Sequence, residues 1–399
     1  MPVGTPFHDR TFPLAESLSY RDWAGYYAPS SYEPIHDHEY NALRNGAGLI
    51  DISPLFKYIV SGPDAARLVN RVITREAERL EPGRVIYTPW CDEHGRVLDD
   101  GTVTRLDEQR FRWTAAEPNF RWLRENATGL DVAVEDVSEA VAALALQGPT
   151  SAAVLRAAAD ADIDGLKYFH VTRGSIAHRP VEISRTGYTG DLGYEIWMAR
   201  HDALTIWDAI IRAGGAHALR PVGLLALDVA RIEAGLLLID VDFFSARRAL
   251  TTSQYYTPYE MGLDRLVDLL KPAFIGRRAL VDQRSAGVAR RIVGLAVEWT
   301  DVEALYQAVG LPPLGVATAS RAAVPVFAGS RQVGRMTSST WSPVLKQMIG
   351  IATIDAPFAG VGSRVEVEHT VDVVRHRVRA TVVEMPFFNP RRKVETPPA

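Results

Sequence analysis

The chain has 399 residues, 47% of them apolar and 23% charged, with a formal net charge of −4 and a pI near 6.2. That length exceeds one ordinary core, so two or three domains are expected, and the composition excludes a disordered or fibrous chain. The acidic balance argues against nucleic acid as a partner, and the lone Cys91 excludes an intrachain disulfide or a cysteine metal cluster. No apolar run approaches the roughly 18 residues of a membrane span, and Met1–Arg10 is no charged-then-apolar leader. A cytoplasmic protein without membrane contact is expected.

In chain order, residues 1–35 are rich in Pro and aromatic rings, which predicts an extended arm pinned by those rings. His36–Asn45 is helix-compatible and leads into a strand at Leu49–Ile52. His36, His38 and Glu39 invite a metal reading, but His residues at i and i+2 share no helix face and no third ligand follows at a useful spacing, so no metal is expected and a solvated helix start is read instead. Lys57–Ser61 is strand-like, Asp64 is a candidate N-cap, and Ala65–Val72 is the helix. Strands follow at Val85–Pro89, Val97–Leu106 and Arg110–Ala115, giving a hairpin-rich unit that ends near residue 138. Val141–Leu146 reads as a strand and Ser151–Ala159 as a helix. Helices are predicted again at His201–Ala213 and Leu224–Ala234, the second with Asp228 and Arg231 spaced to pair. From Arg291 the pattern turns to short β runs: Ile292–Trp299, Val324–Phe327, Gln332–Met336, Ile349–Ile354, Ser363–Val367 and Val374–Val383. Those predict an all-β barrel or sandwich. Tyr306–Ala323 reads as a variable loop, and Arg391-Arg392-Lys393 as a solvated terminus.

Two stretches carry chemistry. Asp99-Asp100 interrupts an apolar strand, and adjacent strand residues face opposite ways. An inward acid is costly unless it has work or a partner; a wet edge-strand pair is the alternative. Arg185-Thr-Gly-Tyr-Thr-Gly-Asp-Leu-Gly-Tyr-Glu195 joins two strands, Val181–Ser184 and Tyr194–Met198, through a glycine-rich loop. It offers aromatic faces for a planar ring and a carboxylate for ring N–H donors; a hairpin with core tyrosines is the alternative. Asp240 and Asp242 are too few for an oxygen-only cation site and are read as loop acids that touch a substrate.

The chain resembles the glycine-cleavage T-protein (aminomethyltransferase) superfamily of tetrahydrofolate-dependent one-carbon transferases. The resemblance rests on seven blocks in the family's order: Ala47-Gly-Leu-Ile-Asp51-Ile-Ser53, Gly95-Arg-Val-Leu-Asp-Asp100, Leu146-Gln-Gly-Pro149, the Arg185–Glu195 loop, Arg231-Ile-Glu-Ala-Gly235, Phe274-Ile-Gly-Arg-Arg-Ala-Leu280 and Thr337-Ser-Ser-Thr-Trp-Ser-Pro343. It implies an α+β cloverleaf of three domains around a central folate channel. The expected division is a discontinuous α+β domain from residues 1–52 and 140–285, a ferredoxin-like α+β domain over 53–139, and a C-terminal β-barrel over 286–399. Carried over by motif, Asp100 is the catalytic carboxylate, Glu195 reads the pterin edge, and Tyr188, Tyr87 and Tyr168 line the channel around the cofactor, tetrahydrofolate.

The departures from the family pattern concern the donor. Leu227 stands where an arginine is expected, Thr104 where a tyrosine is, and Ala115 where an amide is. Asp51-Ile-Ser-Pro-Leu55 replaces Asp-Val-Ser-His-Met. The resemblance with these changes implies a methyl or aminomethyl transferase, demethylase-like, that takes its carbon from a small methylated amine, sulfonium compound or methoxylated aromatic. They also leave a lipoyl carrier protein doubtful as partner. The aromatic insertion Phe243–Tyr259 is a candidate wall of the donor pocket. A scaffold that has lost folate for another transfer or rearrangement, and a non-catalytic folate-binding protein, are the alternatives. The iron–sulfur-maintenance branch carries a Lys-Gly-Cys motif that Cys91 does not match.

Overall fold

A computed structural model describes residues 1–313, 318–395 and 397. Its organisation follows from the strand Val141–Gln147. Ala142, Leu144 and Leu146 enter one core and Ala143 and Ala145 another, because successive strand side chains point to opposite faces. A strand buried on both faces belongs inside a covered sheet. It lies within a seven-stranded sheet ordered Ala159–Asp160, Val171–Ile176, Arg179–Ser184, Gly193–Ala199, Val141–Gln147, Ala47–Asp51 and Leu219–Pro221. Only the last pair is parallel. Ala47–Asp51 pairs with Val141–Gln147, so the chain leaves this sheet after Asp51 and re-enters it at Val141.

Between those points lies a five-stranded antiparallel sheet ordered Val85–Cys91, Val97–Asp107, Arg110–Ala115, Phe56–Ser61 and Ala133–Asp136. The helices Ala65–Val72 and Phe120–Asn126 pack on one face of it around Tyr58, Leu68, Trp90 and Trp113. The third body is a closed barrel of Arg290–Val297, Gln347–Asp355, Arg331–Ser342, Val324–Ala328, Arg364–Val371 and Val374–Val383. Closure comes from pairing the last strand with the first, which removes exposed sheet edges. The fold is therefore α+β with a C-terminal β-barrel, as the motifs implied.

Buried ion pairs tie the Leu224–Glu233 helix to its neighbours. Glu233 accepts from Arg44 Nη2 at 2.6 Å, from the Tyr40 hydroxyl at 2.6 Å and from Ser342 Oγ of the barrel at 2.6 Å. Arg231 donates to Asp228 at 2.9 Å, to Asp242 and to Ser338 Oγ at 2.8 Å. The predicted Asp228–Arg231 pair forms, and Asp242 turns out to be a buried structural acid.

Several expectations need correction. The arm contains a helical turn, His8–Thr11, and a two-stranded ribbon of Tyr20–Trp23 with Tyr26–Pro29. The helix start near His36 is not solvated: Glu39 is buried and accepts backbone N–H bonds from Tyr32, Glu33 and Gly223. Asp64 caps no helix through its side chain and instead accepts from Asp131 N at 2.9 Å. Trp299 begins a helix, Trp299–Ala308, rather than ending a strand, so the expected loop from Tyr306 starts inside that helix; residues 314–317 of that loop lie outside the described residues. Asp240 is paired with Arg248.

The basic C-terminal run is not solvated either. Arg392 forms a two-point ion pair with the buried Asp191 at 2.6 and 2.8 Å. Arg185, from the glycine-rich loop, donates to the carbonyls of Arg392, Lys393 and Glu395. The tail is thereby strapped across the loop.

Candidate active site

The seven-stranded sheet, the five-stranded sheet and the barrel all contribute walls to a cavity of about 1040 Å³. That is the upper end of the roughly 300–1,000 Å³ in which proteins enclose drug-sized ligands. Asp100, Glu195, Tyr188, Tyr87 and Tyr168 all line it, although they come from four separate stretches of chain.

Asp100 reaches the cavity through a β-bulge. Trp90 pairs with Asp99 and Cys91 with Val97, leaving Leu98 as the extra residue. A bulge re-aims the side chains beyond it. After it, Asp99 turns into the buried core side and Asp100 and Thr102 face the cavity. The next residue must be glycine, since a Cβ at Gly101 would lie 2.1 Å from the Thr114 carbonyl oxygen. Neither acid is a wet edge residue. Asp99 is fully buried and accepts from Asn119 Nδ2 at 2.9 Å and from Asp100 N at 2.8 Å. Asn119 thus supplies a buried amide a few residues beyond Ala115. Burial pushes the Asp99 carboxyl well up, and the neighbouring Asp100 charge adds to it.

Asp100 Oδ2 accepts from the Tyr87 hydroxyl at 2.6 Å. Burial raises the Asp100 carboxyl to about 6, while the Tyr87 bond holds it down. A carboxyl near 6 can carry or release a proton near neutral pH, the range wanted of a general acid or base.

The glycine-rich loop connects Arg179–Ser184 to Gly193–Ala199, which pair as antiparallel neighbours, so it is a hairpin, and it also lines the cavity. Gln147 anchors it, donating through Nε2 to the carbonyls of Thr186 and Tyr194 at 3.2 Å each and accepting from Thr189 Oγ1 at 3.0 Å. A Cβ at Gly187 or Gly193 would come within 1.9 or 2.1 Å of Gln147 Oε1, which explains two of the three glycines. Tyr194 is core, as the alternative had it, whereas Tyr188 lines the cavity and donates to the Leu237 carbonyl at 2.5 Å. Thr186 Oγ1 donates to Glu195 Oε2 at 2.7 Å. Burial raises the Glu195 carboxyl, opposed by Thr186 and by the charge of Arg112. Arg112 stacks on Trp197 with its guanidinium carbon 4.3 Å from the ring centre and pairs with Glu182.

Residues that sequence reasoning passed over define the two ends. Around Tyr168 stand Arg75, Arg84, Arg265 and Lys393, all lining the cavity. After burial, repulsion from Arg265 and Arg84 depresses Arg75, and repulsion from Arg265 depresses Lys393. Beyond Tyr188 and Arg231 lie Arg21, Trp23 and Arg321. Leu227, Ala115 and Leu55 do face the cavity, whereas Thr104 is buried without lining it. None of the insertion Phe243–Tyr259 lines it: Phe243, Tyr256 and Tyr259 are core residues. Among the described residues no group of three His, Cys, Asp or Glu side chains could hold a metal ion. No helix among them is long and apolar enough to cross a membrane.

Residues 15–271 match the GCVT N-terminal domain, and residues 307–389 match the glycine cleavage T-protein C-terminal barrel domain. The chain belongs to the glycine cleavage T-protein family. It is 36% identical over 377 residues to an aminomethyltransferase of Moorella thermoacetica, covering 93% of this chain and 94% of that protein. It is also 36% identical over 402 residues to a trimethylamine-oxide aldolase of Ruegeria pomeroyi, which spans 97% of this chain but only 47% of the relative. The solved glycine cleavage aminomethyltransferase T of Bartonella henselae superposes with a TM-score of 0.81 at 25% identity, over 98% of this chain and 99% of that one. At family level this chain is a one-carbon transferase.

Proposed function

We propose that the cavity binds tetrahydrofolate and that the enzyme passes to it a methyl or aminomethyl group from a small methylated donor. The observation that carries this reading is the convergence of Glu195, Asp100 and three tyrosines on one cavity. The residues fit the cofactor. A pterin presents adjacent N–H donors that a carboxylate accepts in a two-point contact, and Glu195 is a carboxylate held in place by Thr186. Tyr188 and Tyr87 offer ring faces, and the cationic end at Arg75, Arg84, Arg265 and Lys393 suits the carboxylates of the glutamyl tail. When bound, tetrahydrofolate supplies N5 as acceptor of the one-carbon unit. Asp100, near 6 and oriented by Tyr87, holds or accepts a proton beside the reacting atoms and offers negative charge where positive charge develops.

The departures favour a donor other than the glycine-cleavage intermediate, since Leu227, Ala115 and Leu55 leave apolar wall where methyl groups can rest. The Ruegeria relative, named for a methylated nitrogen compound, supports the same direction. The same apolar residues also favour the second reading, a transfer that needs no folate.

The test is carbon tracing. Candidate donors labelled with ¹³C at the methyl group are incubated with enzyme and tetrahydrofolate and followed by NMR. The label is expected on the folate with wild type, and Asp100→Asn is expected to bind folate yet transfer at least a hundredfold more slowly. Label leaving a donor without reaching folate supports the folate-independent reading, and an Asp100→Asn variant as fast as wild type removes the catalytic assignment.

A further inference from the structure

The cavity has a second group of charged residues, besides the cations around Tyr168, that the folate reading does not use. Arg21 comes from the ribbon strand Tyr20–Trp23, and Arg321 stands just before the barrel strand Val324–Ala328; both line the cavity. They share one acid: Arg321 Nε donates to Asp228 Oδ2 at 2.6 Å, while Arg21 Nη1 lies 3.9 Å from the same oxygen, beyond hydrogen-bond reach. Asp228 is already committed, since Arg231 donates to its other oxygen at 2.9 Å. Arg231 and Asp242 complete the group. Three guanidinium groups therefore face two carboxylates, and one positive charge remains.

Arg21 carries that surplus. Its Nη1 is buried and has no hydrogen-bond partner among the described residues. Burial and the proximity of Arg321 both disfavour its charge, against the pull of Asp228. A buried donor without a partner forfeits its desolvation cost unless a ligand supplies an acceptor. Trp23, two residues along the same strand, and the apolar Leu55, Leu224 and Leu227 line the same cavity.

We propose that the one-carbon donor is a carboxylate, bound through its carboxylate by Arg21 and Arg321, with its methylated centre against Trp23 and the leucines. This rests on the transferase reading above and names the substrate class it leaves open. A guanidinium offers paired N–H donors that match a carboxylate, and the carboxylate group of the donor pairs with the surplus guanidinium. A tryptophan face attracts a methylated ammonium or sulfonium group, and leucines exclude water from the methyls. The cation that Leu227 removes from its helix is thus resupplied by the ribbon and by the segment leading into the barrel. Arg21 and Arg321 act as specificity determinants; neither is assigned a step in the transfer.

The experiment is isothermal titration of the 399-residue protein with three carboxylates, N,N-dimethylglycine, dimethylsulfoniopropionate and 3-methoxybenzoate. Each is paired with a counterpart lacking the carboxylate: trimethylamine, trimethylsulfonium and methoxybenzene. Wild type, Arg21→Gln and Arg321→Gln are compared, and circular dichroism checks that each variant is folded. The expected result is saturable binding of at least one carboxylate by wild type, with its counterpart at least tenfold weaker. Arg21→Gln, whose guanidinium is partly exposed and makes no hydrogen bond through Nη1, is expected to weaken that carboxylate at least tenfold while tetrahydrofolate still titrates it. Binding of none of the three carboxylates, equal binding of a counterpart, or full affinity in both variants overturns the proposal. Tetrahydrofolate titrated into wild type keeps the two readings apart: no folate binding sinks the transferase reading, whereas folate binding with indifference to carboxylates sinks only this one.

Discussion

Replacing Tyr87 by Phe should raise the Asp100 carboxyl above its value of about 6. The Tyr87 hydroxyl donates to Asp100 Oδ2 at 2.6 Å, and a hydrogen bond to the ionised form stabilises that form. Such a bond to a charged group contributes about 1.5–3 kcal/mol. At 1.36 kcal/mol per pKa unit, its loss moves the carboxyl up by roughly one to two units. Phe keeps the ring volume, so the burial that raises Asp100 is retained. Between about pH 6 and pH 8 the variant would hold a proton that wild type has released. The assay is a carboxyl titration of protein labelled with ¹³C-aspartate, read by NMR, with Asp100→Asn identifying the signal. Asp99 lies next to it, so the values belong to the pair; the comparison between wild type and Tyr87→Phe is what counts. A Tyr87→Phe protein that titrates at or below the wild-type value refutes the account of how this acid is tuned.

Other consequences can be measured without knowing the donor. Asp100→Asn should stabilise the protein at pH 8 by about 1–3 kcal/mol, because a carboxyl raised from 3.8 to about 6 by burial favours folding when protonated and loses that advantage as pH rises through 6. In urea denaturation the gain should shrink as pH falls from about 6 towards 4 and be absent below that. Glu233→Ala should cost about 3–5 kcal/mol by removing the hydrogen-bonded carboxylate of the buried Arg44 guanidinium, which keeps only Asp191 at 3.7 Å, read as a fall in denaturation midpoint. Arg392→Ala should free the C-terminal strap from Asp191, seen as faster proteolytic removal of the tail with the barrel intact.

The legible part of this protein is local. Val141–Leu146 can be placed because it is an unbroken apolar run closed by Gln-Gly-Pro, and the Arg185–Glu195 loop because its three glycines fall between two strand-like runs. The barrel strands are readable from β-branched runs. What escapes depends on contacts distant in sequence. Lys393 reaches the cavity because Arg392 finds Asp191, 201 positions earlier. Arg21 and Arg321 are ordinary isolated arginines until the ribbon and barrel bring both to Asp228. Composition also misleads. The aromatic stretch after Phe243 reads as a pocket wall, yet its rings are consumed by the core. Trp299–Ala308 escapes because it opens on Trp-Thr directly after a strand, with no side-chain cap to announce it.

The most direct test of the central claim is isothermal titration of tetrahydrofolate into wild type and Glu195→Gln side by side. Glutamine keeps the shape but exchanges one acceptor oxygen for a donor, so the pterin's N–H pair loses a charged partner worth about 1.5–3 kcal/mol. Saturable one-to-one binding by wild type is predicted, with a roughly tenfold to hundredfold weaker affinity in the variant. No binding by wild type at high micromolar folate, or equal affinity in the two proteins, would contradict it.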